Sequence, residues 1–589
     1  SEPQVIDRNR HPAPLLRRPW HDLDGEWEYS TDPAADPCRV SWNEKINVPF
    51  SPGTPASGRP LPADARRFWY RRTFEHGPAA HGRRLLLHFS AVDRAATVWV
   101  NGSVAGSHMG GYTPFCFDVT DLVGEDRASA LIEVAVRADD PRVDDDAPRG
   151  KQDWRSEPHS IWYPRTCGIW RSVWCEEVGS AYLSDVHWSA DVAAMSLNLT
   201  ARVEAAPPGA RLEAEVRHGE RVVGFGAGAV QGGQVELRIP VGDGGIDDRT
   251  SMLWWPRRPT LIDAELVLRT AGGEVLDRAQ SYAALREVEV RDGRFCINGR
   301  PTFLRMVLDQ GYWPDTGATP PDGDALRRDL QLARSLGFNG VRKHQKTEDA
   351  RYFAHADEMG MMVWVEMPSA YRPGAVSAVN LIREWTGVVM AHRSHPSVVA
   401  WVPLNESWGV FGLAQDRQRR ATATALAAVS TALDGTRPVS VNDGWETSGG
   451  EIVGVHDYGQ DPSIIARRYA DAGSLERLVG GTGPSDRRID LDGRGPEGRA
   501  VFLSEFGGVA LADGGEGTWG YTTADSPDDL LDRYRKQWAA VHESTALAGA
   551  CWTQLTDTYQ EANGLLGADR RPKVDPHLLS EATRGRWRS

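Results

Sequence analysis

The sequence predicts a multidomain β plus α/β chain: a β-sandwich over residues 1–180, a second sandwich of immunoglobulin-like size over 181–288, and a C-terminal (β/α)8 TIM barrel over 289–589. Three observations predict it. At 589 residues the chain exceeds what one hydrophobic core supports. Up to about residue 288 it reads as short strands broken by turns. Beyond that point apolar strands alternate with amphipathic helices, for which a parallel sheet or barrel is the stable packing solution.

In the first segment the apolar run Leu85 to Phe89 and the run Thr97 to Val100 are separate strands, and Asn101-Gly102 is a hairpin turn signal. In the second, Val235, Leu237 and Ile239 alternate with Glu236 and Arg238, and Leu266 to Leu268 is a further apolar run. In the third, Leu326, Leu330, Ala333 and Leu336 recur at helical spacing before Gly337, followed by a strand at Phe338 to Arg342. A helix from Glu348 to Met359 stops at Gly360 before a strand from Met361 to Glu366. Further strands at Thr302 to Leu308, Val398 to Leu404, Pro438 to Val441, Ile452 to Val455, Val501 to Ser504 and Leu547 to Trp552 bring the count to eight. The stretch 471–499, rich in Gly, Asp and Arg, reads as an inserted loop.

Charge and composition exclude some partners. With 81 acidic against 67 basic side chains, a broad electrostatic footprint for nucleic acid is missing. No apolar run reaches membrane-spanning length, and the opening SEPQVIDRNRHPAP lacks the apolar core of a signal peptide. The six cysteines show neither a CxxC pair nor zinc spacing, so free buried thiols and a reducing, cytoplasmic compartment are expected, with secretion open if a leader was removed. The 22 tryptophans, many beside Gly, Pro or charged residues, suit both large cores and sugar-stacking sites. Three Asn-x-Ser/Thr matches, at 101, 198 and 405, are best explained by chance.

Barrel enzymes place reactive groups where strands end. Glu406 ends the fourth strand in AWVPLNESWG and Glu505 the seventh in AVFLSEFGG, so the two carboxylates face one cleft from across the barrel. Paired carboxylates are the minimum for glycoside hydrolysis, one protonated to donate and one ionised to attack. The spacing alone does not say which is which. Either glutamate taken singly could instead cap a helix or pair with an arginine.

At this point the residues resemble glycoside hydrolase family 2. LNESWG is similar to that family's acid/base motif and SEFGG to its nucleophile motif, which makes Glu406 the acid/base and Glu505 the nucleophile by carry-over. HPSVVAWVPLNE is similar to the longer family signature. LDGEW, FWYRRTF, VWVNG, GGYTPF and GIWRSVWCE resemble the family's sugar-binding jelly roll, LWWP its middle sandwich, and FNGVRKHQ its second barrel strand. The resemblance and strand-end position together nominate Arg342, His344, His456, Tyr458 and Trp552 beside Asn405. It implies that Asn405 bonds a hydroxyl next to the anomeric carbon, Tyr458 holds Glu505, and Trp552 floors the sugar. Asp309, Gln310, Glu366, Asp443 and Trp445 are further candidates for hydroxyl contacts.

Two departures narrow the substrate. Where family glucuronidases carry an Asn-x-Lys element, this chain has Glu561, Ala562 and Asn563, which disfavours a glucuronide. Where the metal-assisted galactosidases have Glu-x-His, VEMPSAY offers no histidine two places after Glu366, so neither a metal nor any other cofactor is expected. The expected activity is a retaining exo-glycosidase releasing a β-galactoside-type or furanoside sugar. A non-catalytic carbohydrate-binding protein and an endo-acting glycanase are the alternatives. The expected partner is a carbohydrate, without nucleic acid or membrane, and a homodimer is open.

Overall fold

The computed structural model describes residues 15–76, 82–123, 131–242, 248–511, 515 and 517–585. The opening segment on which the leader expectation falls, residues 1–14, lies outside them. Six antiparallel strands form one sheet in the order Glu44–Val48, Gly25–Ser30, Arg67–Glu75, Leu131–Asp139, Ala95–Val100, Ser103–Met109. Four more, in the order Trp20–Asp22, Val173–Val178, Arg84–Phe89, Phe115–Asp118, form a second sheet. Trp27, Phe68, Leu87, Val98 and Val136 belong to the core these sheets share. Ala95–Val100 and Ser103–Met109 turn tightly through Asn101 (φ 49°) and Gly102 (φ 78°), the positive-φ pair that matches strand twist in a two-residue hairpin.

Next come sheets of three strands (Tyr182–Asp191, Ser196–Glu204, Gln234–Pro240) and four (Arg221–Ala229, Arg211–His218, Ile262–Arg269, Val275–Ala283). Val235, Leu237 and Ile239 are buried while their neighbours face solvent, as a period of two requires. The fold class read from the sequence, two β-sandwiches followed by a TIM barrel, is the one observed.

Seven parallel staves line the barrel: Leu304–Asp309, Gly340–Lys343, Met362–Glu366, Val398–Val402, Ile452–Asp457, Ala500–Gly507 and Gly549–Thr553. Pro438 to Val441, expected as a regular fifth strand, and the residues on to Asp443 are joined to the fourth stave and the turn after it, among the described residues, by the isolated parallel bridges Trp401↔Val439 and Asn405↔Asp443. Ile452 N donates to Val439 O at 3.2 Å and closes the circle on the other side. The segment begins at Pro438, which has no N–H for a ladder, so pairing is intermittent. Met306, Leu308, Trp364, Ala400, Phe502 and Cys551 belong to the inner core, which the hairpin Val288–Arg291 and Arg294–Ile297 shares. Val307, Val341, Val363, Trp401 and Leu503 belong to the core under the helices. The insert at 471–499 is not all loop, because Ala472–Val479 is a helix capped by Asp471.

The first sandwich also reaches the barrel mouth. Gly150 N donates to Ser369 O at 3.1 Å, Tyr163 N to Lys151 O at 2.7 Å, and the Tyr163 hydroxyl to Glu561 Oε2 at 2.5 Å. These bonds set one wall of the cleft described next.

All six cysteines are free, but Cys38 and Cys116 are exposed, so the expectation of buried thiols holds for four only. The exposed pair lie on the first sandwich, whose strand faces and turns meet solvent.

Candidate active site

Glu406 and Ser407 follow the fourth stave in left-handed backbone, at φ 49° and 57°. Two residues in succession at positive φ are costly, and the segment 438–443 holds them there. Glu406 N donates to Asp443 O at 2.9 Å and Ser407 N to Asn442 Oδ1 at 2.8 Å, while the Ser407 hydroxyl bonds Glu446 Oε2 at 2.8 Å. The bend turns the Glu406 side chain toward Glu505, which lies in the long stave Ala500–Gly507.

One carboxylate oxygen of Glu406, one of Glu505 and one ring nitrogen of His456 lie within 4.8 Å of one another. His456 Nδ1 meets Glu406 Oε1 at 2.6 Å and Nε2 meets Asp443 Oδ2 at 2.9 Å. Burial opposes charge on this ring, but Glu505 nearby and the bonds to Asp443 and Glu406 outweigh it and push its pKa up to about 10. The ring is therefore an imidazolium at neutral pH, donating from both nitrogens.

Arg342 is the central cation and is fully buried. Its Nε and Nη2 reach Glu366 Oε2 at 2.8 and 2.6 Å, Nη1 reaches Glu505 Oε1 at 2.8 Å, and Nη2 also reaches Asn405 Oδ1 at 2.6 Å. Because the Asn405 carbonyl is occupied by this guanidinium, its amide NH2 is left to face the cleft. Tyr458 Oη donates to Glu505 Oε2 at 2.5 Å. Burial by itself would raise the Glu505 pKa, yet His456, Arg342, His344 and the Tyr458 hydroxyl together hold it below the usual carboxylate range. The Glu505 side chain is 6% exposed and that of Glu406 is 20% exposed, so the two carboxyl groups meet different solvents.

The cleft is lined by Gln310, His344, Asn405, Glu406, Tyr458 and Glu505 among the residues expected from the sequence. Arg342, Asp309, Glu366 and Asp443 lie behind this wall. The hydroxyl-contact role expected for the three carboxylates is corrected: Asp309 accepts from Lys343 Nζ at 2.8 Å, and Glu366 and Asp443 flank Arg342. A buried carboxylate must be paired, and these spend one oxygen on a cation and the other on neutral donors as well, Gly311 N for Asp309, Gln345 N for Glu366 and the Ser440 hydroxyl for Asp443. Trp445 is corrected too: it is not among the residues that line the cleft, and the Arg487 guanidinium of the insert lies 3.9 Å from its ring centre. Trp552 is corrected as well. Its ring packs on Phe506 and Tyr534 in the layer between sheet and helices, because strand alternation puts Cys551 inside and its neighbour outside.

The sequence does not mark Lys151, Ile161, Leu308, Gln345, Tyr371, Trp408, Tyr521, Thr553 or Glu561 as wall residues, yet all of them line the cleft. Trp408 stands two places after Glu406 in NESWG and was within reach of motif reasoning. Lys151 and Ile161 come from the first sandwich, and no local pattern marks them.

A barrel of this kind, preceded by two sandwiches and carrying paired glutamates at the ends of opposed staves, defines the class. Residues 54–177 match the description "Glycosyl hydrolases family 2, sugar binding domain" and residues 288–480 match "Glycosyl hydrolases family 2, TIM barrel domain". The chain belongs to glycoside hydrolase family 2.

It is 30% identical over 348 residues to a β-galactosidase of Thermoanaerobacter pseudethanolicus, covering 58% of this chain and 44% of that one. It is 25% identical over 443 residues to a β-glucuronidase of Chlorocebus aethiops, covering 67% and 65%. The chain thus spans less than two thirds of the length of these relatives. In fold it is similar to a family 2 β-galacturonidase from Eisenbergiella tayi, with a TM-score of 0.75, 20% identity and 98% of each chain covered.

Proposed function

We propose that this chain is a retaining, exo-acting glycoside hydrolase in which Glu505 is the nucleophile and Glu406 the acid/base. The observation that carries the reading is that one oxygen of each carboxylate comes within 4.8 Å of the other, in unlike surroundings, an approach that supports the closer of the two spacings that glycosidases use. Retaining glycosidases hold their carboxyl groups about 5 to 5.5 Å apart, whereas inverting ones leave about 6.5 to 9.5 Å for a water. Glu505, kept ionised by its cations, attacks the anomeric carbon while Glu406 protonates the leaving oxygen. Glu406 then takes a proton from water, which releases the sugar with retained configuration.

His456 occupies Oε1 of Glu406, so Oε2 is the oxygen that exchanges the proton. Exo action is supported by the cleft's lining, which draws Lys151 and Ile161 of the first sandwich and Trp408, Tyr521 and Glu561 of the barrel loops around the carboxylates. In this reading residues 1–180 and 181–288 build and brace one wall, and 289–589 carry the chemistry.

The released sugar is assigned as a β-galactoside-type pyranoside or a furanoside. One observation favours a second reading, a uronide, the substrate class named for several relatives. Lys151 lines the cleft with no carboxylate partner among the described residues, lying 5.7 Å from the centre of the Tyr163 ring. Against it, Glu561 puts a negative charge on the same wall. A panel of nitrophenyl pyranosides, furanosides and uronides decides between them. Trapping with the 2-deoxy-2-fluoro form of the best substrate, followed by peptide mass analysis, should label Glu505; a label elsewhere sinks the mechanism.

A further inference from the structure

The opposite end of the barrel carries a feature that this chemistry does not use. Residues 301–303, 337–339 and 359–361, which lead into the first three staves, line a groove of about 1040 Å³ together with residues 255–258 and Arg584. Six arginines line it, Arg257, Arg258, Arg300, Arg305, Arg334 and Arg584, and among the described residues no Asp or Glu does. That runs against the composition of a chain with a net charge of −14. None of the six pairs with a carboxylate among the described residues.

Arg305 is the built part of the site. It is only 5% exposed, its Nε donates to Gly337 O at 3.2 Å, and its two Nη groups have no protein acceptor among the described residues. Burial together with the like charges of Arg584 and Arg257 pushes its pKa down to about 10, as happens when cations gather without a counter-charge. It remains a cation at neutral pH. Half-buried Trp255 lies alongside, with the Arg300 guanidinium 5.3 Å from its ring centre.

We propose that this groove is a second binding site, separate from the catalytic cleft, for acidic oligosaccharides bearing two or more carboxylate or sulfate groups. Guanidinium forks match planar and tetrahedral oxyanions in bidentate geometry, and the Arg305 fork, with no protein acceptor for its Nη groups among the described residues, is free to take one from the groove. Six such cations exceed what one anionic group can satisfy. The Trp255 face adds the apolar surface on which a sugar ring packs. Because the groove opens at the amino ends of the staves and Glu406 and Glu505 lie at their carboxyl ends, a chain held here leaves the cleft free.

The test is calorimetric titration of the whole protein with a galacturonic acid hexamer, a sulfated heparin hexasaccharide, a neutral cello-hexamer and a single-stranded DNA hexamer. At least one acidic glycan should bind, with affinity falling about tenfold or more between about 50 mM and about 500 mM salt. The stronger of the two identifies the carboxylate or the sulfate as the anion. The double variant Arg258→Glu with Arg300→Glu, both at exposed positions, should lose about tenfold or more of that affinity while aryl glycoside turnover stays unchanged. Arg334→Glu with Arg584→Glu should do the same, which covers the case of one pair failing to fold. The proposal is overturned if neither acidic glycan binds, if the neutral hexamer binds equally, if binding survives both charge reversals, or if DNA binds more tightly than either glycan.

Discussion

His456 Nδ1 lies 2.6 Å from Glu406 Oε1, so the proposed acid/base is tied directly to a buried imidazolium that also faces the proposed nucleophile. One ring thereby sets the electrostatics of both carboxylates. Its second nitrogen is anchored by Asp443, and Asp443 in turn flanks Arg342.

Replacing His456 with alanine removes a cation from beside both glutamates. Glu505 should then hold its proton to higher pH, moving the acid limb of the kcat/KM profile upward and lowering its maximum by about 10²-fold. A pH series on a chromogenic glycoside measures this. An unmoved acid limb would show that the ring is only a spacer.

The same cluster makes stability depend on pH. His456 has its pKa raised from 6.5 to about 10, so its contribution is whole below about 6.5 and drains away as pH climbs through 10. Glu366, Asp443 and Glu505 are held below their ordinary values, so their contribution is present above about 4 and is lost as pH falls. Thermal melts across pH should show a neutral plateau with a decline on each side. His456→Gln should flatten the alkaline decline and also shrink the acid one, because the ring helps to hold Glu505 and Asp443 ionised.

Tyr458→Phe deletes the hydroxyl that donates to Glu505 Oε2 and keeps the ring, which Tyr521 stacks at 3.4 Å between centres. The hydroxyl steadies the nucleophile without holding the substrate's far end. We expect kcat to fall by about 10- to 100-fold with KM changed by less than about threefold. Steady-state kinetics reads both; a change confined to KM would place the hydroxyl on the sugar instead.

Glu505→Ala should abolish turnover of every glycoside. Glu406→Ala should still form the glycosyl-enzyme from dinitrophenyl glycosides, whose leaving groups need little protonation, and should lose about 10³-fold or more on poor leaving groups. Burst kinetics on the two substrate types separates the roles, and equal losses on both would contradict the assignment.

The fold was legible because strand and helix periods differ. Val235, Leu237 and Ile239 announced a half-buried strand, and Leu326, Leu330 and Ala333 a helix face, without reference to any distant residue. Pro438 to Val441 looked like its neighbours but pairs only through isolated bridges, since apolar content does not report how many N–H groups find partners. Trp552 was misread by one step of the pleat. Its place at a strand end was clear, but the face it takes depends on register across two adjacent staves.

The sequence by itself determined the order of the three parts, the staves that end in Glu406 and Glu505, and the family motifs around them, all of which are local patterns. Only the tertiary structure decided which buried carboxylates are consumed by Arg342 and Lys343, that Lys151 of the first sandwich reaches the cleft, and that six arginines from four distant segments share one groove. Charge pairing and wall building act through space over a few ångströms, between residues that the chain holds hundreds of positions apart, so no window along it contains the information.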